Sequence, residues 1–155
     1  MSMKRRTFLQ GTLASSVVGI ATSAGLLSPR AVLAAWPTKA FDAENVPGAL
    51  SALFGSDATT DGGVKIKAPD IAENGAVVPI TISSDIKNIE AISVIVEKNP
   101  RPLAANFVMS SASEGFVSTR VKMGKTSKLI AVVKAGGKLH SGSKEVKVTI
   151  GGCGG

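Results

Sequence analysis

From Val64 to Ile150 the chain repeats one pattern: short runs with an apolar side chain at every second residue, separated by clusters of Gly, Asn, Pro and Ser. Successive side chains of a strand point to opposite sides, so a period of two marks a strand with one buried face. Val64, Ile66 and Ala68 alternate with Lys65 and Lys67. In "AVVPITIS", Val78, Ile80 and Ile82 share a face, and Pro79, which has no amide to donate, predicts an edge strand. "FVSTRVKM" sets Val117, Thr119, Val121 and Met123 against Ser118, Arg120 and Lys122; "KEVKVTI" sets Val146, Val148 and Ile150 against Glu145, Lys147 and Thr149. "FVMSSA" is a weaker run. Ala91 to Val96 and the stretch "KLIAVVK" are apolar on both faces, as expected of strands covered on two sides. About seven short strands at this spacing predict an all-β chain, an antiparallel sandwich over residues 64–150.

Only residues 35–63 carry a helical pattern. "ENVPGALSALFG" offers Asn45 as a cap, Pro47 in the first turn, Leu50, Leu53 and Phe54 at helical spacing, and Gly55 as a stop. This short N-terminal helix is expected at one end of the sandwich or across an edge. "GGKLH" reads as a break before the last strand, which places His140 in a Gly/Ser-rich surface turn.

The front of the chain sets the compartment. Lys4, Arg5 and Arg6 precede Phe8 and Leu9, a mildly apolar run follows from Gly11 to Leu27, and "SPRAVLAAW" supplies small residues for processing. This is the order of an export signal, and the Arg5–Arg6 pair makes it the twin-arginine type, cleaved after Ala34 or Ala35. The apolar run is too short and too rich in Ser and Thr for a membrane-spanning helix, which needs about 20 apolar residues. Loss of residues 1–34 removes four cations (Lys4, Arg5, Arg6 and Arg30) and no acid, so the formal charge of +7 falls to +3. The basic balance therefore belongs largely to the leader. With one Trp and no Tyr, the aromatic platforms of single-strand nucleic-acid binders are missing as well. Periplasmic residence is the expectation.

In an oxidising compartment a single cysteine has no internal partner, and such a thiol is either an intermolecular bridge or a reactive group. That cysteine is Cys153, set between Gly151–Gly152 and Gly154–Gly155 at the extreme C-terminus. Without Cβ atoms the flanking residues form a flexible, unencumbered arm whose five residues reach at most roughly 15–18 Å. No cation adjoins Cys153 and the terminal carboxylate lies two residues away, so nothing local lowers its pKa below the free value of about 8.5. A weakly activated thiol on a tether suits a substrate carrier better than a catalyst. One Cys and one His cannot fill a four-ligand zinc site, and no cofactor is expected. Arg120, Lys122, Lys125 and Lys128 read as a solvated strand face and turn, able at most to steer an anion or an acidic partner.

The tail "VKVTIGGCGG", the internal stretches "EKNPRPLAANF" and "STRVKMGKTS", and the twin-arginine leader together resemble the SoxY family of periplasmic thiosulfate oxidation. The resemblance implies an immunoglobulin-like sandwich that pairs with a second sandwich protein, SoxZ, with Cys153 carrying the substrate covalently. It implies that the cytochrome SoxXA joins thiosulfate to the thiol, that the manganese hydrolase SoxB then releases sulfate, and that in some organisms a sulfane dehydrogenase oxidises the sulfur left behind. Two other readings compete. A ubiquitin-like sulfur carrier would hold sulfur as a thiocarboxylate on Gly155, and a structural sandwich would crosslink through Cys153.

Overall fold

The structure, a computed structural model, describes residues 36–110 and 112–149. The chain divides into two units, Met1–Trp36 and Pro37–Gly155. Of the first, only Trp36 is among the described residues, and all elements below belong to the second. The expected leader with Arg5 and Arg6, and the tail Gly151–Gly155 with Cys153, lie outside the described residues.

Among the described residues two short helices come first, α1 (Thr38–Asp42) and α2 (Val46–Phe54). Asn45 holds extended backbone, and its side-chain oxygen accepts from the Gly48 amide at 2.7 Å. That satisfies one of the donors a first helical turn leaves without a carbonyl. Pro47 occupies the first turn, and Gly55 ends the helix at φ 78° with its amide donating to the Ser51 carbonyl at 2.9 Å.

Nine strands follow: β1 (Thr60–Asp61), β2 (Val64–Lys67), β3 (Ile71–Ala72), β4 (Val78–Ser84), β5 (Ile89–Val96), β6 (Leu103–Val108), β7 (Phe116–Val121), β8 (Ser127–Ala135) and β9 (Lys138–Val148). The larger sheet has the order β1-β9-β8-β5-β6, with β3 also beside β9, and the smaller has β2-β4-β7. One core joins them. Val78, Ile80, Ile82, Val117 and Val121 from the small sheet meet Ile92, Val94, Val96, Leu129, Ala131 and Val133 from the large one.

The doubly apolar strands are explained by a second core on the opposite face. Ile95, Val132 and Leu139 are buried there with Leu103 and with Ala40, Ala49 and Leu50 of the helices. The helices thus cover a sheet face, which corrects the expected place at an end or an edge. Ile95, Ile130 and Val132 form an apolar strip that only a covering layer can remove from water.

Pairing departs from a purely antiparallel sandwich. β1 and β3 run parallel to β9, with Thr60 opposite His140 and Ile71 opposite Lys147. These segments are too short to show a period, and they shield an edge that β9 would otherwise leave open. Pro79 lies in the central strand of the small sheet, not in an edge strand. The pairing of β2 with β4 ends at Lys67–Thr81, however, so at Pro79 only β7 is alongside, through Arg120. The missing donor costs no ladder bond there. The weak run "FVMSSA" is corrected to β6, which starts at Leu103; its alanines hide the alternation.

His140 is also corrected: it lies within β9, opposite Val133 of β8. The break is confined to Gly136 and Gly137, at φ 55° and 74°, between the paired residues Ala135 and Lys138. A two-residue turn with both φ positive matches the twist of a hairpin and favours glycine. Glu90 ties it down, accepting from the Gly137 amide at 3.2 Å and pairing with Lys134 at 3.2 Å. The Gly137 hydrogen bond, then that of Lys134, lowers the Glu90 carboxyl from its ordinary 4.5. A carboxyl depressed in the folded state contributes stability above its unfolded pKa and loses it as pH falls through the folded value. Glu90→Gln is therefore expected to flatten the decline of Tm between about pH 5 and about pH 3. An unchanged slope would show that this carboxylate contributes nothing.

Candidate functional site

The site begins at the end of β9. Cys153 lies outside the described residues, but the chain that carries it is described to Thr149. On one flank β3 supports it: the Lys147 amide donates to the Asp70 carbonyl at 3.0 Å, and the Thr149 amide to that of Ala72 at 3.1 Å. On the other flank the Val148 amide donates to Thr126 Oγ1 at 3.0 Å, and Ser127 pairs with Val146. Beneath, a Cβ built on Gly75 would stand 2.4 Å from the Met123 carbonyl oxygen and 2.7 Å from Val148 Cγ1. The site accepts glycine alone, because Val148 and the buried Met123 occupy the space. The root of the tail is braced on both flanks and from below.

The same end of the body gathers its loops. Asn99 Nδ2 donates to the Lys122 carbonyl at 2.8 Å while its Oδ1 accepts from the Gly124 amide at 3.1 Å. The Lys98 amide donates to Ser127 Oγ at 3.0 Å, and the Met123 amide to the Gly75 carbonyl at 2.7 Å. The two internal stretches singled out in the sequence, 97–107 and 118–127, therefore meet beside the end of β9. Asn99, Gly75 and Thr126 were not visible as site residues. Asn before Pro100, and Gly after Asn74, announce turns but do not say which backbone groups they will meet.

Thr126 gives a local test. Thr126→Val keeps the shape but leaves the Val148 amide without its acceptor, which is expected to cost about 1 kcal/mol. Hydrogen exchange at Val148 should accelerate markedly, while exchange at Val132 in the sheet centre should not change. Equal rates at Val148 in both proteins would show that β3 alone holds the root.

His140 stands far from the described end of the chain. Eight residues of extended β9 separate it from Val148, roughly 26 Å, and the five residues from Val148 to Cys153 reach back at most roughly 17 Å. Arg120, Lys122, Lys125 and Lys128 are all exposed and make no ion pair among the described residues, in keeping with a solvated face. Among the described residues, no group of three or more His, Cys, Asp or Glu side chains is placed to hold a metal ion.

Fold and site thus define a small, mainly β protein whose described chain ends at a braced strand end. The profile of the family described as "Sulfur oxidation protein SoxY" matches residues 50–153, ending on the cysteine itself. The chain belongs to the SoxY family. Among solved structures it is similar to the sulfur carrier protein SoxY from Chlorobium limicola f thiosulfatophilum, at 44% identity over 66% of this chain and 94% of that one, with a TM-score of 0.60. A superoxide reductase (neelaredoxin) from Ignicoccus hospitalis, at 20% identity over 57% of this chain and 81% of its own, has a TM-score of 0.51 and shares the fold alone. No curated protein matches the chain.

Proposed function

We propose that this protein is a periplasmic, non-catalytic sulfur carrier that holds thiosulfate-derived sulfur covalently on Cys153 and presents it to separate enzymes. The observation that carries this reading is the family match reaching Cys153, on a tail rooted in a rigidly braced strand. In this reading the body is an immunoglobulin-like sandwich paired with SoxZ, and Gly151, Gly152, Gly154 and Gly155 make the tail a swinging arm. Arg5 and Arg6 direct export by the twin-arginine route.

The chemistry fits a thiol with no activating neighbour. Joining thiosulfate to Cys153 forms an S–S bond and releases one proton and two electrons, so an external oxidant is required; SoxXA, a c-type cytochrome, supplies that role. Hydrolysis of the resulting S-thiosulfonate adds water, breaks the bond between sulfane sulfur and sulfonate, and leaves a persulfide and sulfate with no further electrons exchanged; SoxB is the matching partner. A sulfane dehydrogenase is a further partner for the remaining sulfur. Each step occurs on an enzyme that must admit Sγ, which a bare glycine tether allows.

Fragment mass spectrometry of protein purified without reductant tests the assignment. Sulfur on Cys153 supports it. Sulfur on the Gly155 carboxyl would make the protein a thiocarboxylate carrier, and disulfide dimers without sulfur adducts would make it a crosslinked structural protein.

A further inference from the structure

We infer that the end of the body around the β9 exit is a docking surface for an acidic protein rim, the rim of the active-site entrance that Cys153 must enter. This rests on the carrier reading and goes beyond it. Thr149 is fixed by Ala72, and the four residues from there to Cys153 span at most roughly 14 Å. A tether that short cannot deliver a thiol into a recessed active site while the body stays clear of the enzyme. The loops that surround the exit have to touch the entrance.

Those loops are fixed and predominantly cationic. The hydrogen bonds of Asn99 to Lys122 and Gly124, of Ser127 to Lys98, and of Thr126 to Val148 hold them in one arrangement. Lys98, Arg101, Lys122, Lys125 and Lys147 are all exposed. Arg101 is paired with Asp42 at 3.3 Å, and nearby Asp70 is taken by Lys144 at 2.9 Å. Among the described residues this leaves Lys98, Lys122, Lys125, Lys128 and Lys147 without an ion pair, against the carboxylates of Glu73, Glu97 and Glu145. The cations ride on separate segments around an exit and do not converge on a point. That distribution matches a broad acidic surface, which long-range attraction can steer into register. It does not match a pocket for one small anion.

The test compares the mature chain, with its native partner subunit, to the variant K98E/K122E/K125E. The readouts are kcat/KM for sulfur loading by the cytochrome at low and at high salt, and the rate of Cys153 with a small neutral thiol reagent. Loading by the cytochrome is expected to fall at least about tenfold at low salt and to converge with the unaltered chain at high salt. The small reagent should react equally with both, and K98R/K122R/K125R should retain the full rate. If the triple reversal does not fold, Lys→Gln at the same positions is read in its place, with a smaller expected fall. Equal kcat/KM at every salt concentration, with the unaltered chain loaded normally, would overturn the docking surface and leave the carrier intact. Failure of the unaltered chain to be loaded at all would overturn both.

Discussion

Cys153→Ser is expected to abolish sulfur carriage while leaving Tm and pairing with the partner subunit unchanged. A serine hydroxyl cannot form the S–S bond that the proposed function requires for holding thiosulfate-derived sulfur, so the loss should be complete. The body has no need of the thiol. Its main core is closed by residues between Ala72 and Val146, and its second core by residues between Ala40 and Leu139. The check is turnover of thiosulfate in a reconstituted system with either chain, alongside a thermal melt. Residual turnover at the unaltered rate would move the carrier site elsewhere. A lowered Tm would make Cys153 structural.

Gly75→Val is expected to produce the largest loss of stability among the site residues, about 2–4 kcal/mol. The new Cβ would overlap the Met123 carbonyl and the Val148 side chain. Neither neighbour has an easy escape: Met123 is buried and its amide is bonded to the Gly75 carbonyl, while Val148 is held by Thr126 and β3. The strain should be relieved by detaching the last residues of β9, which lengthens the tether and blurs its origin. Denaturant unfolding measures the first effect, and hydrogen exchange at Lys147, Val148 and Thr149 the second. Full stability with slow exchange at these amides would mean that the loop after β3 moves aside at little cost.

Much of the body could be read from the chain because local pattern and tertiary environment agree. Val78, Ile80 and Ile82 face one core and alternate cleanly; Asn45 and Gly55 bound α2 through hydrogen bonds with near neighbours in sequence. The double-sided runs of β5 and β8 revealed two covered faces, though not that the N-terminal helices form one of the covers. What escaped depends on distant partners. β1 and β3 exist as strands because β9 lies beside them, and two residues carry no period. His140 looked like part of a turn because the glycines before it and the Ser-Gly-Ser after it imitate one, whereas β8 pairs straight through that stretch. The expectation for Cys153 came from its isolation among glycines, and that residue lies outside the described part of the chain. The brace beneath Val148 was not legible, since Gly75, Asn99 and Thr126 act through backbone groups far away in the sequence.

The most direct measurement is time-resolved intact mass of the mature protein during incubation with thiosulfate, its oxidising cytochrome and the hydrolase. The carrier function predicts a single thiosulfate-derived adduct that forms first, then converts to a one-sulfur adduct as sulfate appears, with neither species on the Cys153→Ser chain. Thiosulfate consumed and sulfate released while the protein's mass never changes would contradict it.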